Sequence, residues 1–445
     1  MFKTLKNAWK IEEIQNKILF TLLIILLYRV GSAIPVPYVL ENILDSFNAT
    51  YGGTIFGYMS ILSGGAMSQA TLFALSVSPY ITSSIVIQLL TVAFPDSLGK
   101  IAKDGEEGQK KVKKWTRWVT VGIALVTAYG YTALLANNGW LNTNYIQWSG
   151  MWASNGFIGT VNTLLIIASY VAGAAIIMWL AELIDAKGIG NGISMILFFN
   201  IISRIPNLLG SLWNMVAYNK NGLVVGILLG LLSVAITLGM VVLVVWVTHS
   251  ERRIPIQYAK RVVGRKMYGG QGTHLPIKLN MTGVMPIIFA SSIVSVPATI
   301  ATFFPSNNGF RVWVEKWLGP QSWIYVIIYL VLIVAFAYFY ILISFNPLEV
   351  ANNIKNNGGS VPGIRTGKPT AEYITKILNR ITLIGAFFLI VVAGLPMIIN
   401  IVSGGSFAGL AFGGSSLLIV IGVAIETFRD IEAQITMRNY KGFLD

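Results

Sequence analysis

The sequence predicts an all-α polytopic membrane protein with ten transmembrane helices, and three observations carry that prediction. Of its 445 residues, 55% are hydrophobic and only 11% charged, with a mean hydropathy of +0.68; a soluble domain carries about a quarter charged residues. Apolar runs of roughly 20 residues, the length that crosses a bilayer, recur along the whole chain. The basic residues gather in alternate loops, the pattern left when such loops stay on the cytoplasmic side.

Met1 to Lys17 holds four lysines and precedes an apolar run from Ile18 to Tyr28 and the small residues Gly31-Ser32-Ala33. A charged start, an apolar middle and a small-residue end also describe a signal peptide. Arg29 beside the small residues, and the many spans downstream, favour a first transmembrane helix ended by Pro35-Val36-Pro37. From Tyr51 to Ala66 the chain is apolar but too short and too glycine-punctuated to cross a bilayer. Ala70 to Leu90 is long enough, yet it contains Pro79 and the polar set Ser76, Ser78, Thr82, Ser83, Ser84 and Gln88. Lipid offers a backbone no hydrogen bonds, so a half-length segment at membrane depth must sit inside protein or line a cavity. The two stretches therefore read as a pathway through the protein or as a re-entrant loop that fills space.

A charged loop from Pro95 to Lys114, with six lysines and four acids, leads to span three at Trp115. Trp115 and Trp118 suit the interfacial aromatic belt. A lysine-free loop with Trp140, Trp148 and Trp152 precedes span four, 156–183, and a short link turns into span five, 193–205. Within that link, Gly188-Ile-Gly-Asn-Gly192 has the glycines of a nucleotide loop but follows no strand, so it reads as a tight turn allowing close helix packing. Span six covers 223–247, a polar loop 249–280, span seven starts near Gly283 with Pro286 and Pro297, and span eight covers 323–345. A second polar loop, 346–376, precedes spans nine (377–401) and ten (414–428) and a charged tail.

Ten spans put both termini on one side. The loops of the other side hold only Arg204, Lys220, Arg311 and Lys316, and Arg29 lies within span one, so both termini are expected in the cytoplasm. Five spans per half is an odd number, so the second half (221–445) starts on the opposite side from the first (1–220). Such inverted repeats place a pathway at their interface. Spans two and seven hold equivalent places, each with a proline and a pair of serines: Ser83 and Ser84, Ser291 and Ser292.

Much familiar chemistry is missing. The chain has no cysteine and two histidines, His249 and His274. It has no phosphate loop, no HExxH and no nucleophile elbow, so no catalytic set, metal or cofactor is expected. Ion-coupled carriers usually keep ionisable groups inside their spans, but Glu182 and Glu426 fall near span ends. An apolar constriction, which seals by dewetting, is favoured over a secondary transporter of a small solute. In the loop Ser250–Lys266, alternation at Ile254, Ile256 and Tyr258 suggests a β-hairpin. This loop and the one holding Gly358–Arg365 fit anionic lipid headgroups, an acidic protein or ribosomal RNA.

Motifs run in order through both halves: Ile34-Pro-Val-Pro37, Ser78-Pro-Tyr-Ile81 to Ile87-Gln-Leu-Leu90, Gly188-Ile-Gly-Asn-Gly-Ile-Ser194 and Tyr258-Ala-Lys260. Thr273-His-Leu-Pro-Ile-Lys278, Gly283-Val-Met-Pro-Ile-Ile-Phe-Ala290, Pro362-Gly-Ile-Arg365 and Gly414-Ser-Ser-Leu-Leu-Ile-Val420 follow. In these motifs the chain resembles the SecY family, the channel subunits of the bacterial protein-conducting translocon, over essentially its full length. The resemblance implies two inverted five-helix halves around a central pore with a short plug helix. Unfolded preproteins would thread the pore, and hydrophobic segments would leave sideways into lipid.

The same resemblance places a pore ring on Val77, Ile81, Ile193, Leu197, Ile288 and Ile419. Val77 and Ile81, like Ile193 and Leu197, are spaced i,i+4 and so share a helix face. It places the plug at about 54–66, with Thr54, Ile55, Phe56, Met59, Ile61 and Leu62. A lateral gate of spans two and three against seven and eight would be lined by Ser83, Ser84, Gln88, Ser291 and Ser292. Arg252, Arg253, Arg261, Arg265 and Arg365 would dock the motor ATPase SecA or the ribosome. Further implied partners are the small subunits SecE and SecG, signal sequences and preproteins, membrane lipid, and YidC or SecDF. The implied location is the bacterial cytoplasmic membrane, and ATP hydrolysis would belong to the motor, so no enzyme activity is expected. The chain departs from the family pattern at Ser76 (usually glycine), Thr366 (usually proline) and Ser63 (often bulkier or glycine), which bears on plug packing and loop shape.

Overall fold

The architecture is that of a computed structural model whose described residues are 9–40, 43–51, 55–149, 152–153, 156–206, 210, 213, 216–217, 223–258, 261–263, 266–268, 273–301, 303–304, 308–319, 322–402 and 413–441. Helix α1 (Glu12–Gly31) is the first span. Glu12 and Glu13 lie in its first turn, where carboxylates complement the helix dipole. Its side chains divide between exposed Leu22, Leu23 and Leu26 and buried Ile24, Ile25 and Tyr28. Two short helices follow, α2 (Ile43–Tyr51) and α3 (Ile55–Leu62).

The chain then runs through consecutive turns over residues 63–77, and helix α4 (Ser78–Ala93) begins eight residues later than the expected span at Ala70. Pro79 in its first turn explains the start, since the amide that proline lacks is not needed there. Ala70 and Ser76 stand at φ 49° and 53°, left-handed conformations that cannot continue a right-handed helix. This irregular backbone is almost wholly buried and is hydrogen-bonded both within itself and to neighbouring segments. The Leu72 amide donates to the Ile34 carbonyl (2.9 Å) and the Thr71 amide to that of Ala66 (3.1 Å). The Tyr131 hydroxyl donates to the Met67 carbonyl.

Helix α5 (Leu98–Lys103) leads to the long helix α6 (Gly105–Asn137). A small hairpin, β1 (Trp148–Ser149) and β2 (Trp152–Ala153), precedes α7 (Gly156–Lys187). Arg117 on α6 grips Glu182 on α7 with two hydrogen bonds of 2.9 and 2.6 Å. The glycine-rich link then opens α8 (Gly192–Ile202). The Gly192 amide donates to Asp185 Oδ1 (2.7 Å), and the Asn191 side chain caps α8 by accepting from the Ser194 amide (3.1 Å). A Cβ at Gly192 would overlap the Ala181 carbonyl, so the turn does bring two helices into close contact.

The second half starts with α9 (Leu223–His249), then β3 (Glu251–Tyr258), β4 (Arg261–Val263), β5 (Lys266–Tyr268) and β6 (Thr273–Lys278). Helices α10 (Met285–Ala301), α11 (Gly309–Trp317), α12 (Trp323–Ser344) and α13 (Pro347–Asn356) follow, then β7 (Gly359–Ser360), α14 (Lys368–Val402) and α15 (Gly413–Lys441). The expected hairpin is a sheet in which β3 lies between β6 and β7, antiparallel to both, with β4 and β5 paired separately. The alternation read in the sequence has a cause: Ile254 and Ile256 are buried against Ile341, Ile354, Ile374 and Leu378.

Helices α1, α6, α7, α9, α12 and α14 are long and apolar enough to cross a membrane, and α4, α8 and α10 are shorter apolar helices. Outward-facing Leu228, Leu231, Leu238 and Val242 on α9 and Leu383 and Phe387 on α14 present the apolar surface that lipid requires. Among the described residues, α4 and α6 pack on α10, and α8 packs on α15. Helices α1 and α15 meet where Ile14, Ile189 and Ile431 cluster and Lys17 Nζ donates to Gln434 Oε1 (3.3 Å).

Candidate functional site

Two cavities lie between the halves, and three apolar side chains separate them. A cavity of about 60 Å³ is bordered by Met59, Leu62, Ser76, Ile81, Thr127, Ser291, Ser292 and Ser295. A second, of about 290 Å³, is bordered by Thr248, Lys278, Glu426, Arg429 and Asp430. Leu197, Ile288 and Ile419 border both. They come from α8, α10 and α15 and are 2%, 8% and 1% exposed. Branched apolar groups in a narrow passage exclude hydrated ions.

The other ring candidates stand around these three side chains. Ile81 borders the smaller cavity. Val77 is buried in the same apolar cluster, and its carbonyl accepts from the Ile81 amide (3.0 Å), which keeps the i,i+4 relation although α4 starts one residue later. Ile193 is half-buried against the cluster. Val77 and Ile193 border neither cavity. Polarity differs between the cavities: hydroxyls line the smaller space and charged groups the larger. There, burial and the neighbouring Arg429 push the Lys278 ammonium below its ordinary pKa.

Helix α3 stands against the smaller cavity. Met59 and Leu62 border it, and Phe56 and Ile61 pack on the central cluster. Thr54 and the side chain of Ile55 lie outside the described residues. Polar contacts hold the end of this helix. Asn200 Nδ2 donates to the Leu62 carbonyl and to the Tyr28 hydroxyl, both at 2.9 Å. Ser76 Oγ donates to the same Leu62 carbonyl (3.3 Å), and Arg204 Nη1 donates to Ser60 Oγ (3.1 Å). Ser76 holds a left-handed conformation that glycine adopts without strain, which accounts for the glycine usual there, and its hydroxyl adds a bond glycine lacks. Buried Ser63 donates to the Ser60 carbonyl (3.0 Å) and accepts from the Met67 amide (3.1 Å). The sequence reading missed Asn200 and Arg204; a lone asparagine inside the apolar fifth span was the available signal.

The gate candidates divide. Ser291 and Ser292 border the smaller cavity, their hydroxyls each donating to the Ile288 carbonyl (2.9 Å). Ser83 turns the other way: it is 0% exposed and donates to the Thr116 carbonyl of α6 at 2.6 Å. It joins α4 to α6 and borders neither cavity. Consecutive helical residues point about 100° apart, so Ser84 faces a different direction from Ser83. Ser84 and Gln88 are half-buried on α4 and border neither cavity.

Residues 71–428 match the SecY family model. The protein translocase subunit SecY of Streptomyces galbus is 42% identical to this chain, with all of both chains covered. That of Mycobacterium bovis is 40% identical over the same full extent. The chain belongs to the SecY family. Its fold is also that of a solved structure described as a protein-conducting channel, with a TM-score of 0.63, 17% identity, and coverage of 94% of this chain and 92% of that one. Sec61 from a canine ribosome–channel complex of the endoplasmic reticulum gives 0.59 at 16% identity with the same coverage.

The loops that the SecY resemblance assigned to docking form one platform, because β7 pairs with β3 through Gln257 and Ser360. Arg252 and Arg253 are exposed on β3, and Arg253 is tied to Glu251 (2.7 Å). Arg365 is exposed in the turn before α14, between Gly363 (φ 80°) and Gly367 (φ 96°), and its carbonyl accepts from Thr370 Oγ1 (2.8 Å). Thr366, where the SecY pattern has proline, is exposed in that turn. Arg261 lies on β4; its side chain, and Arg265 entirely, fall outside the described residues.

Proposed function

We propose that this chain is the channel subunit of the Sec translocon, a passive conduit for unfolded preproteins that also releases hydrophobic segments sideways into the bacterial cytoplasmic membrane. The observation that carries the reading is the partition of Leu197, Ile288 and Ile419 between two cavities, with α3 standing on one side of it. Ten spans in two inverted halves, 1–220 and 221–445, place both termini in the cytoplasm, so the larger cavity is the cytoplasmic entrance and residues 54–66 are the plug.

At rest the ring of Val77, Ile81, Ile193, Leu197, Ile288 and Ile419 seals by dewetting. An entering polypeptide parts these side chains and displaces the plug, breaking its bonds to Asn200, Ser76 and Arg204. A sufficiently apolar segment then leaves through the seam of α4 and α6 against α10, where Ser291 and Ser292 offer hydroxyls. The chain supplies path and seal and catalyses no reaction. Energy comes from SecA or from the ribosome docked on Arg252, Arg253, Arg261, Arg265 and Arg365. SecE and SecG complete the complex, and YidC or SecDF associate with it.

The test is uptake of a fluorescent preprotein into proteoliposomes holding this chain with SecE and SecG. Uptake is expected to require SecA and ATP, and Arg365→Glu is expected to abolish it while leaving membrane insertion of the chain intact. Normal uptake by Arg365→Glu removes that residue from the docking surface. Absence of uptake by the unsubstituted chain overturns the channel reading.

A further inference from the structure

At the end of the bundle away from Lys17 and Gln434, one arginine ties the two halves together. Arg311 on α11 is only 6% exposed despite its charge. Its Nη2 donates to the Tyr51 hydroxyl (3.1 Å), its Nε to Glu315 Oε1 (2.9 Å) and its Nη1 to the Phe304 carbonyl (3.3 Å). Glu315 and Phe304 belong to the second half, so the guanidinium is anchored at home and reaches across with the remaining donor. Tyr51 ends α2, 260 residues earlier in the chain.

Tyr51 is itself a junction. Its hydroxyl accepts from Asn138 Nδ2 (2.9 Å) at the end of α6, and its ring meets that of Phe56 on α3 edge-on with centroids 5.6 Å apart. One phenol thus touches the second half, a gate helix and the plug. Tyr129 on α6 meets Phe303, which lies between α10 and α11, with ring centroids 5.5 Å apart, a second contact across the seam. The opposite face of α11 exposes Phe310, Trp313 and Trp317, residue types that settle at a lipid–water interface and would hold this arm at the bilayer surface.

We propose that Arg311 and Tyr51 form a latch that sets the balance between the closed and open channel. The inference rests on the reading above, in which the seam and plug move for passage. The pair joins α11 to α2, and through Phe304 and Asn138 it is tied to the end of α10 and to α6. Parting of the α6–α10 seam at this end therefore strains the pair, and its rupture releases the ring that packs on Phe56. Hydrogen bonds from a charged donor in a buried setting are among the stronger ones, and loss of this one shifts the open population by about tenfold. The remaining partners of Arg311 keep α11 folded.

The chain has no cysteine, so Met59→Cys places a single reporter thiol on the plug. Its labelling by a water-soluble maleimide is measured in proteoliposomes with SecE and SecG. Tyr51→Phe, which removes one oxygen and keeps the ring, is the decisive variant, with Arg311→Gln beside it. Each is expected to speed labelling about tenfold, with Tyr51→Phe still unfolding in a single cooperative thermal transition, and the double variant is expected to go no faster than the faster single. Unchanged labelling in Tyr51→Phe, or a double effect equal to the product of the singles, overturns the latch. Failure of the unsubstituted chain to translocate overturns the underlying channel reading instead.

Discussion

A carboxylate at Ile419 probes the constriction directly. Ile419 is 1% exposed yet borders both cavities, so Ile419→Asp puts a charge where the closed channel offers no water and the open one does. Holding an ion away from water costs several kcal/mol even after relaxation. If opening relieves about 3 kcal/mol of that, the closed-to-open ratio falls by about two orders of magnitude, at about 1.4 kcal/mol per tenfold. The assay is ion efflux from proteoliposomes, with Ile81→Asp added in a second variant. Leu389→Asp is the control, because Leu389 is 0% exposed in the same cluster but borders neither cavity. It is expected to lower stability without raising efflux. Efflux unchanged in a stably folded Ile419→Asp protein would refute the assignment.

Two further outcomes are expected. Asn200→Ala removes the donor to Leu62 and Tyr28, and a net loss of about 1 kcal/mol should raise thiol labelling of Met59→Cys about fivefold; equal labelling would separate Asn200 from the plug. Gly192→Ala drives a methyl into the Ala181 carbonyl, where backbone cannot yield, and should cost about 1–3 kcal/mol, read as a lower melting midpoint in detergent. Gly122→Ala, with nothing within 4 Å, should leave the midpoint unchanged or higher, and equal midpoints in both variants would deny the tight turn its packing role.

Several features were legible because they are local. Pro79, the serines and the glycines of 51–94 announced irregular backbone at membrane depth, and residues 63–77 are buried turns. Alternation at Ile254 and Ile256 announced a strand, and both side chains are buried. The i,i+4 pairs and the turn at Gly188–Gly192 also follow from spacing and residue type. The start of α4 was misplaced because the left-handed turns at Ala70 and Ser76 carry no glycine to mark them.

Charge, hydropathy and periodicity therefore determined by themselves that the chain lives in a membrane and which positions share a helix face. They could not say what each face meets. Lipid tails are as apolar as a packed core, so an isoleucine facing lipid, a neighbouring helix or a pore reads the same. Only the tertiary structure brought Leu197, Ile288 and Ile419 together from three distant helices, turned Ser83 toward α6, and set Arg311 against a tyrosine from the other half. Each of those contacts depends on how whole helices cross, which no local pattern encodes.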